Sequence, residues 1–281
     1  MDKNKIKRIV KKRVVLLDGA MGTELQRRGL SPGICPEVWC IENEKVLSDI
    51  HTAYKNSGSE IIYTFTFGGN RIKLGQYGIA DVLSVNRKLA RIARKSAGKD
   101  ILVAGDIGPT GQFIQPFGPL DFEEAVSIFK EQIRGLIEGG VDILVIETIF
   151  DIQEARAALI AAKEISDRFV MVTMTFEENG LTLGGTDPVS SLITLQSLGA
   201  DAVGCNCSLG PQGIIDFIKK MKPYAMVPLV AKPNAGLPSV SRGRTVFSMD
   251  DVEFASFARE LVSSGVNMLG GCCGTTPAHI R

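Results

Sequence analysis

The stretch Gly139-Gly140-Val141-Asp142-Ile143-Leu144-Val145-Ile146-Glu147-Thr148 decides the fold. A glycine pair stops one helical pattern, the run Asp142–Ile146 follows, an acid and a threonine end it, and a second helical pattern takes over at 151–165. The run is apolar on consecutive positions, which suits a parallel strand buried on both faces; a half-exposed strand would alternate. The same unit recurs on either side. Val14–Leu17, Glu60–Thr64, Ile101–Gly105, Phe169–Thr173, Ala202–Asn206, Pro228–Ala231 and Asn267–Gly270 have the same character, and with Asp142–Ile146 they make eight. Between them lie helical patterns at 81–97, 121–138, 151–165, 187–198, 210–221 and 249–264, with a shorter one near 45–57. Asp121, ahead of Phe122-Glu123-Glu124, and Ser248, three residues before Asp251, read as helix caps. Gly139-Gly140, Gly199 and Gly265 read as helix stops, where a left-handed residue is needed.

Strands alternating with helices imply a parallel sheet. Eight units in 281 residues favour a closed (β/α)8 TIM barrel, α/β in class and a single domain, over an open doubly wound sheet. In such barrels the chemistry sits on the loops that leave the C-terminal ends of the strands.

Composition narrows the class. Hydrophobic residues at 44 % and charged residues at 22 % exclude a disordered chain, a collagen-like repeat and a coiled coil. Lys and Arg number 32 against 31 Asp and Glu, a net charge of +1, so nucleic acid is not an expected partner. Residues 1–13 nevertheless carry seven basic side chains (Lys3, Lys5, Lys7, Arg8, Lys11, Lys12, Arg13) and one acid, Asp2, leaving the barrel segment 14–281 net acidic. Ile6, Ile9 and Val10 stand at i, i+3 and i+4, so 1–13 reads as a basic N-terminal arm or short amphipathic helix with a solvated basic face. No apolar run approaches the roughly 18 residues of a membrane span, and the lysine-rich start lacks a secretory signal's apolar stretch. A cytoplasmic protein without a membrane partner is the expectation.

The strand ends carry the reactive residues. Strand 1 runs into Asp18-Gly19-Ala20-Met21-Gly22-Thr23, strand 4 into Glu147-Thr148, strand 6 into Cys207-Ser208, strand 7 into Lys232-Pro233-Asn234, and strand 8 into Gly271-Cys272-Cys273-Gly274. Half of the six cysteines thus stand at the ends of strands 6 and 8, which are separated by a single strand around a barrel. Three thiolates with one open position suit a soft or borderline metal, and zinc is the usual one in a reducing cytosol. Gly270, Gly271 and Gly274 give the backbone the freedom to turn two adjacent cysteines toward one ion. The alternative is buried free thiols or a disulfide, although a Cys272–Cys273 disulfide would close a strained ring. Cys205, two residues before Cys207, is expected to point the same way and lie one layer deeper in the barrel core. Cys35 and Cys40 fall in a loop without an evident partner. His279 lies six residues beyond Cys273 at a helix start, and His51 reads as structural.

Asp18 and Glu147 form a second pair. Paired acids at a barrel mouth can exchange protons, hold a metal or bind a cation; without an accompanying histidine set, a bound ammonium, as in an amino acid, fits them well. The turn Gly19-Ala20-Met21-Gly22 opens a helix and can aim N–H groups at a carboxylate, while the simpler reading of Asp18 is a helix cap. A zinc ion with an open position beside an amino-acid site would activate a thiol, and three anionic sulfur ligands keep that thiol nucleophilic, favouring alkyl transfer to sulfur over hydrolysis.

These residues match a family. Leu17-Asp18-Gly19-Ala20-Met21-Gly22-Thr23, Ile146-Glu147-Thr148, Gly204-Cys205-Asn206-Cys207, Pro233-Asn234-Ala235-Gly236-Leu237-Pro238 and Gly270-Gly271-Cys272-Cys273-Gly274-Thr275-Thr276-Pro277 resemble the homocysteine S-methyltransferase family, from about residue 14 to the end. The segments Ile146–Asp151 and Pro233–Pro238 are most similar to the N-terminal homocysteine-binding module of its cobalamin-dependent members. The resemblance implies that Cys207, Cys272 and Cys273 hold Zn2+ and act through it. It also implies that Asp18 and Glu147 contact the homocysteine amino group, beside Gly19, Ala20 and Met21, and that Asn234 offers an oxygen ligand which the substrate thiolate displaces. The chain departs from the family at Phe65, where TFTF replaces the more usual TNTF. The implied reaction is zinc-dependent methyl transfer to homocysteine, giving methionine, with methylcobalamin as donor on a separate module. Cobalamin-binding and folate-binding modules, in the same longer polypeptide, are the implied partners. The alternatives are a stand-alone methyltransferase using betaine or S-methylmethionine and, in another class, a structural-zinc or redox-sensing protein. Strand 8 is followed by only the start of a helix at Thr276-Pro277, so the eighth helix is expected to be largely missing from this chain, and a longer polypeptide is expected.

Overall fold

The computed structural model describes residues 3–241 and 244–281; Asp2 of the basic arm lies outside them. Eight strands, β1 (Val15–Leu16), β2 (Ile61–Tyr63), β3 (Leu102–Ile107), β4 (Ile143–Ile149), β5 (Phe169–Met174), β6 (Ala202–Asn206), β7 (Leu229–Lys232) and β10 (Val266–Leu269), form one parallel sheet in the order β1-β10-β7-β6-β5-β4-β3-β2. A parallel bridge from Leu17 to Ile61 brings β1 back to β2, so the sheet nearly closes into a barrel. All eight expected runs are strands. An unexpected antiparallel hairpin, β8 (Pro238–Ser241) with β9 (Arg244–Phe247), projects from the loop after β7.

Parity along the strands fills the interior. Val15, Ile61, Tyr63, Ala104, Ile143, Val145, Phe169, Met171, Ala202, Val230 and Met268 pack into one buried cluster inside the barrel. The intervening residues, such as Val103, Leu144, Val170 and Val203, face the helices in the larger outer core. One more inward step on four strands reaches Asp106, Glu147, Asn206 and Lys232, a polar layer at the C-terminal mouth. Cys205 corrects an expectation here. It is buried, but it belongs to the outer cluster with Val203 rather than to the barrel interior below Cys207.

Helix boundaries follow local chemistry. Asp121 accepts from the N–H groups of Glu123 and Glu124 at 2.8 and 3.1 Å, as its position ahead of two acids predicts. The pattern at 249–264 is two helices, Asp251–Ser256 and Ala258–Ser264, and the first is capped by Asp250, not Ser248: its carboxylate accepts from Glu253 N at 2.8 Å. Gly265 ends the second at φ 111°, a left-handed conformation that glycine adopts without strain. Cys40 lies in a helix, Pro36–Glu42, and not in a loop. After β10 comes one helical turn, Pro277–Ile280. No helix among the described residues is long and apolar enough to cross a membrane.

The basic segment is a helix, Lys3–Lys12, whose Ile6 and Val10 join the interior cluster and cover the N-terminal mouth of the barrel. Its basic face is only partly solvated: Lys3 and Lys7 each hold Asp201, at the start of β6, at 2.8 Å. Asp201 also accepts from Val170 N at 2.9 Å. Burial alone would raise its pKa, but the two lysines and that N–H outweigh burial and hold it below the usual carboxylate range. A depressed acid stabilises the fold above its unfolded pKa of about 3.9 and loses that contribution as pH falls through the folded value. Asp201→Asn is therefore expected to lose on the order of 2 kcal/mol at pH 7. In urea melts its deficit against the parent chain should shrink as pH drops below about 4; a deficit constant with pH would contradict this pairing.

Candidate active site

The end of β6 breaks strand parity to build the site. A strand continuing past Asn206 would send the next side chain outward like Cys205, but Cys207 and Ser208 stand at φ 63° and 59°. This left-handed backbone folds the Cys207 thiol back over the mouth. Thr148, after Glu147, is held at φ 59° as well. Non-glycine residues in this region each cost about 1–3 kcal/mol, and all three among the described residues lie at this one mouth. Asn206 braces Thr148: its Oδ1 accepts from Thr148 N at 2.9 Å, and its Nδ2 donates to Thr148 Oγ1 at 2.7 Å and to Cys272 Sγ at 3.8 Å.

The structure brings Cys207, Cys272 and Cys273 together. Their sulfurs all lie within 4.8 Å of one another, and Cys207 Sγ is 3.8 Å from Cys273 Sγ. Zinc–sulfur bonds of about 2.3 Å at tetrahedral angles place sulfurs about 3.8 Å apart, so this donor set fits such an ion. As thiols the three keep their protons. A hydrogen bond with Cys272 favours the Cys207 thiolate, but the bond with Cys273 and burial outweigh it and push Cys207 up to about 12. Cys273 is favoured as a thiolate by Cys207, yet Cys272 and burial push it up to about 12 as well. Three anions this close need a cation between them. Asn234 is buried, and its Oδ1 lacks a hydrogen-bond partner among the described residues, an orphan of the kind a metal site leaves.

The glycines play two roles. Gly274 needs its positive φ of 83°, as expected of a sharp turn. Gly270 and Gly271 are required by close packing instead: a Cβ on Gly270 would lie 2.6 Å from Asp18 O, and one on Gly271 2.4 Å from Thr275 Oγ1.

Beneath the cysteines is a charged floor. Lys232, 3 % exposed, sits 3.3 Å from Asp18 Oδ1 and 3.7 Å from Glu147 Oε2, with its ammonium 3.5 Å from the centroid of the Tyr63 ring. Asp18 is completely buried, and its second oxygen accepts from Tyr63 N at 2.7 Å. Burial would neutralise Lys232, but Tyr63, Glu147 and Asp18 outweigh it and keep the ammonium charged. Burial also raises Asp18 and Glu147, with Lys232 opposing the shift in both. The two acids thus converge on an ammonium, as their pairing implies, and the chain itself supplies one. Lys232 and Asp106 were not singled out from sequence, although strand parity from Val230 and Ala104 points both into the mouth.

One cavity of about 490 Å3 joins these parts; Asp18, Glu147, Lys232 and the three cysteines line it with Gly19, Ala20, Met21 and Phe65. The Ala20 N–H is not free for a ligand, since it donates to Thr275 Oγ1 at 3.0 Å. Phe65, two residues past the end of β2, gives the cavity an aromatic wall. His279 is not with the cysteines: Nδ1 caps the last helical turn through Thr276, and Nε2 lies 3.1 Å from Met249 O. His51 is buried with neither nitrogen bonded among the described residues, and burial lowers its pKa to about 4.

Known proteins share this sequence and this fold. The profile of the family described as homocysteine S-methyltransferase matches residues 15–281. Methionine synthase of Mycobacterium tuberculosis is 32 % identical over 97 % of the chain, and that of Mycobacterium leprae 31 % identical over 96 %. The chain spans about a quarter, 24 %, of the length of each. Among solved structures, the metallated form of the homocysteine methyltransferase MmuM from Escherichia coli superposes with a TM-score of 0.82 at 22 % identity, covering 98 % of this chain and 97 % of that one. The oxidised form gives 0.83 at the same identity. This last likeness speaks for the barrel, and the profile and the two mycobacterial relatives speak for the lineage: the chain belongs to the homocysteine S-methyltransferase family.

Proposed function

We propose that this barrel transfers a methyl group to the thiol of homocysteine, giving methionine, with zinc held by Cys207, Cys272 and Cys273. The observation that carries this is the sulfur triad, with sulfurs within 4.8 Å of one another, opening on the same cavity as a buried acid–lysine floor. Bound there, zinc would stabilise the substrate thiolate at neutral pH while its three anionic sulfur ligands keep that thiolate nucleophilic. Asn234, whose buried Oδ1 has no hydrogen-bond partner among the described residues, is the residue we assign as a neutral oxygen ligand that a sulfur could replace. Glu147 and Asp18, which both line the cavity, face the substrate ammonium, and Asp18 also holds Lys232. With zinc held by the three cysteines, the substrate sulfur would face the open mouth of the cavity, where a donor could approach it in line. The sulfur's electron pair then forms the new S–CH3 bond, and the pair of the broken methyl–donor bond leaves with the donor.

The donor we assign is methylcobalamin on a separate module, and the short span of this chain within two much longer methionine synthases supports that reading. Cobalamin-binding and folate-binding modules are then the partners. A small-molecule donor such as betaine or S-methylmethionine is the second reading, because a homocysteine methyltransferase of nearly the same extent has the same fold.

Zinc-edge X-ray absorption should show three sulfurs and one nitrogen or oxygen in the loaded chain, and four sulfurs once homocysteine is added; an unchanged first shell would favour a purely structural metal. Cys273→Ala should lose both zinc and methyl transfer while its circular dichroism stays that of the parent, since the triad lies at the mouth and not in the core; global unfolding would contradict that placement. Turnover assays with each donor should show product with methylcobalamin, whereas activity with betaine or S-methylmethionine alone would transfer the assignment to the second reading.

A further inference from the structure

A single hydroxyl staples the acid loop of the site to its cysteine loop. β1 and β10 are neighbours in the sheet, so the segment that leaves β1 at Asp18 runs beside the one that carries Cys272 and Cys273. At the strand ends one backbone bond joins them, Gly271 N donating to Asp18 O at 3.0 Å. Beyond it the contact passes to a side chain. Thr275 Oγ1 accepts from Ala20 N at 3.0 Å and donates to Cys272 O at 2.7 Å, so it grips one backbone group in each loop. Tyr54, on the helix Glu44–Asn56, closes the other side: its phenol donates to Ala20 O at 2.7 Å and lies 3.4 Å from Thr275 O. Thr275 and Tyr54 are both completely buried. Gly19 makes room for the pair, since a Cβ there would lie 2.7 Å from Thr275 Oγ1 and 2.9 Å from the Tyr54 hydroxyl. Asp18, Ala20, Cys272 and Cys273 line the cavity, whereas Thr275 and Tyr54 stand behind its wall.

We propose that Thr275, backed by Tyr54, is a positioning residue that fixes the span between the acid end of the cavity and its metal end. It thereby sets the length of amino-acid thiol that the site accepts. The proposal rests on the homocysteine reading and deepens it. A ligand held by its ammonium at one end and by its sulfur at the other must match that span, and homocysteine is one methylene longer than cysteine. A displacement of about 1 Å between the two ends is enough to spoil such a match. A buried hydroxyl bonded on both sides resists that displacement, because pulling the loops apart strands the Ala20 N–H and the Cys272 carbonyl away from water.

Calorimetric titration of the zinc-loaded chain with homocysteine and with cysteine tests this. The parent should prefer homocysteine by a factor on the order of ten to a hundred. Thr275→Val, which keeps the shape and removes the hydroxyl, should lose most of that preference through weaker homocysteine binding, while chelator competition shows zinc held as firmly as in the parent. Thr275→Ser returns the hydroxyl and should return the preference. A hydroxyl that only stabilised the fold would lower the melting temperature of Thr275→Val and leave the ratio of affinities where it was. Tyr54→Phe should move the ratio in the same direction, and it supplies the comparison should the valine variant not fold. Equal affinity of the parent for both thiols, an unchanged ratio in the variants, or a serine variant that behaves like the valine one overturns the proposal. So does loss of zinc along with the preference. Failure of the loaded parent to bind homocysteine at all overturns the homocysteine reading on which it rests.

Discussion

A lysine inside a barrel holds this site together. An unpaired ammonium there would destabilise the fold by several kcal/mol, so Lys232 demands counter-charge, and Asp18 and Glu147 converge on it with the Tyr63 ring beneath. The same short segment is also the backbone anchor of both cysteine loops. Lys232 O accepts from Cys207 N at 3.1 Å, Pro233 O accepts from Cys272 N at 2.7 Å, and Ala235 N donates to Cys273 O at 2.9 Å. The end of β7 thus fixes the electrostatics of the floor and the spacing of the three sulfurs in one stroke. A shift of this strand end would loosen both.

Strain is concentrated where it shapes function. Thr148, Cys207 and Ser208 adopt a backbone conformation that disfavours side chains, and each stands at the mouth. Thr148 is held by a fully buried side chain, Asn206, whose amide spans from Thr148 to the Cys272 sulfur, and Cys207 by its N–H on Lys232 O. The opposite end of the barrel shows no such tension: it is closed by apolar contacts from Ile6 and Val10 and by two lysines on Asp201. Stability is supplied at one face and reactivity at the other, the division of labour expected of this architecture.

Much of this was legible in the residues. Consecutive apolar runs separated by capped helices gave the eight strands, because a strand buried on both faces leaves a continuous hydrophobic trace whatever its neighbours are. The cysteines were legible because strand ends in a closed barrel point to one axis. Three features were hidden, each for a physical reason. Cys205 faces outward by strand parity, and Cys207 escapes that parity only through its left-handed backbone, which no propensity announces for cysteine. The work of Gly270 and Gly271 is to let Asp18 O and Thr275 approach, and contact partners far apart in the chain leave no local mark. The lysine between the two acids was in plain view at the end of strand 7; reading it as part of a loop, rather than as the next inward step after Val230, concealed that the acid pair already has a resident cation.

The central claim is that the sulfur triad and the charged floor act on a single molecule, with the metal taking its thiol and the acids its ammonium. The most direct measurement is homocysteine binding to the zinc-loaded and the zinc-free chain by calorimetry in buffers of differing ionisation enthalpy. The account predicts one homocysteine per zinc, release of about one proton on binding as the thiol ionises, and a large loss of affinity without the metal. Equal affinity with and without zinc, with no proton released, would contradict it.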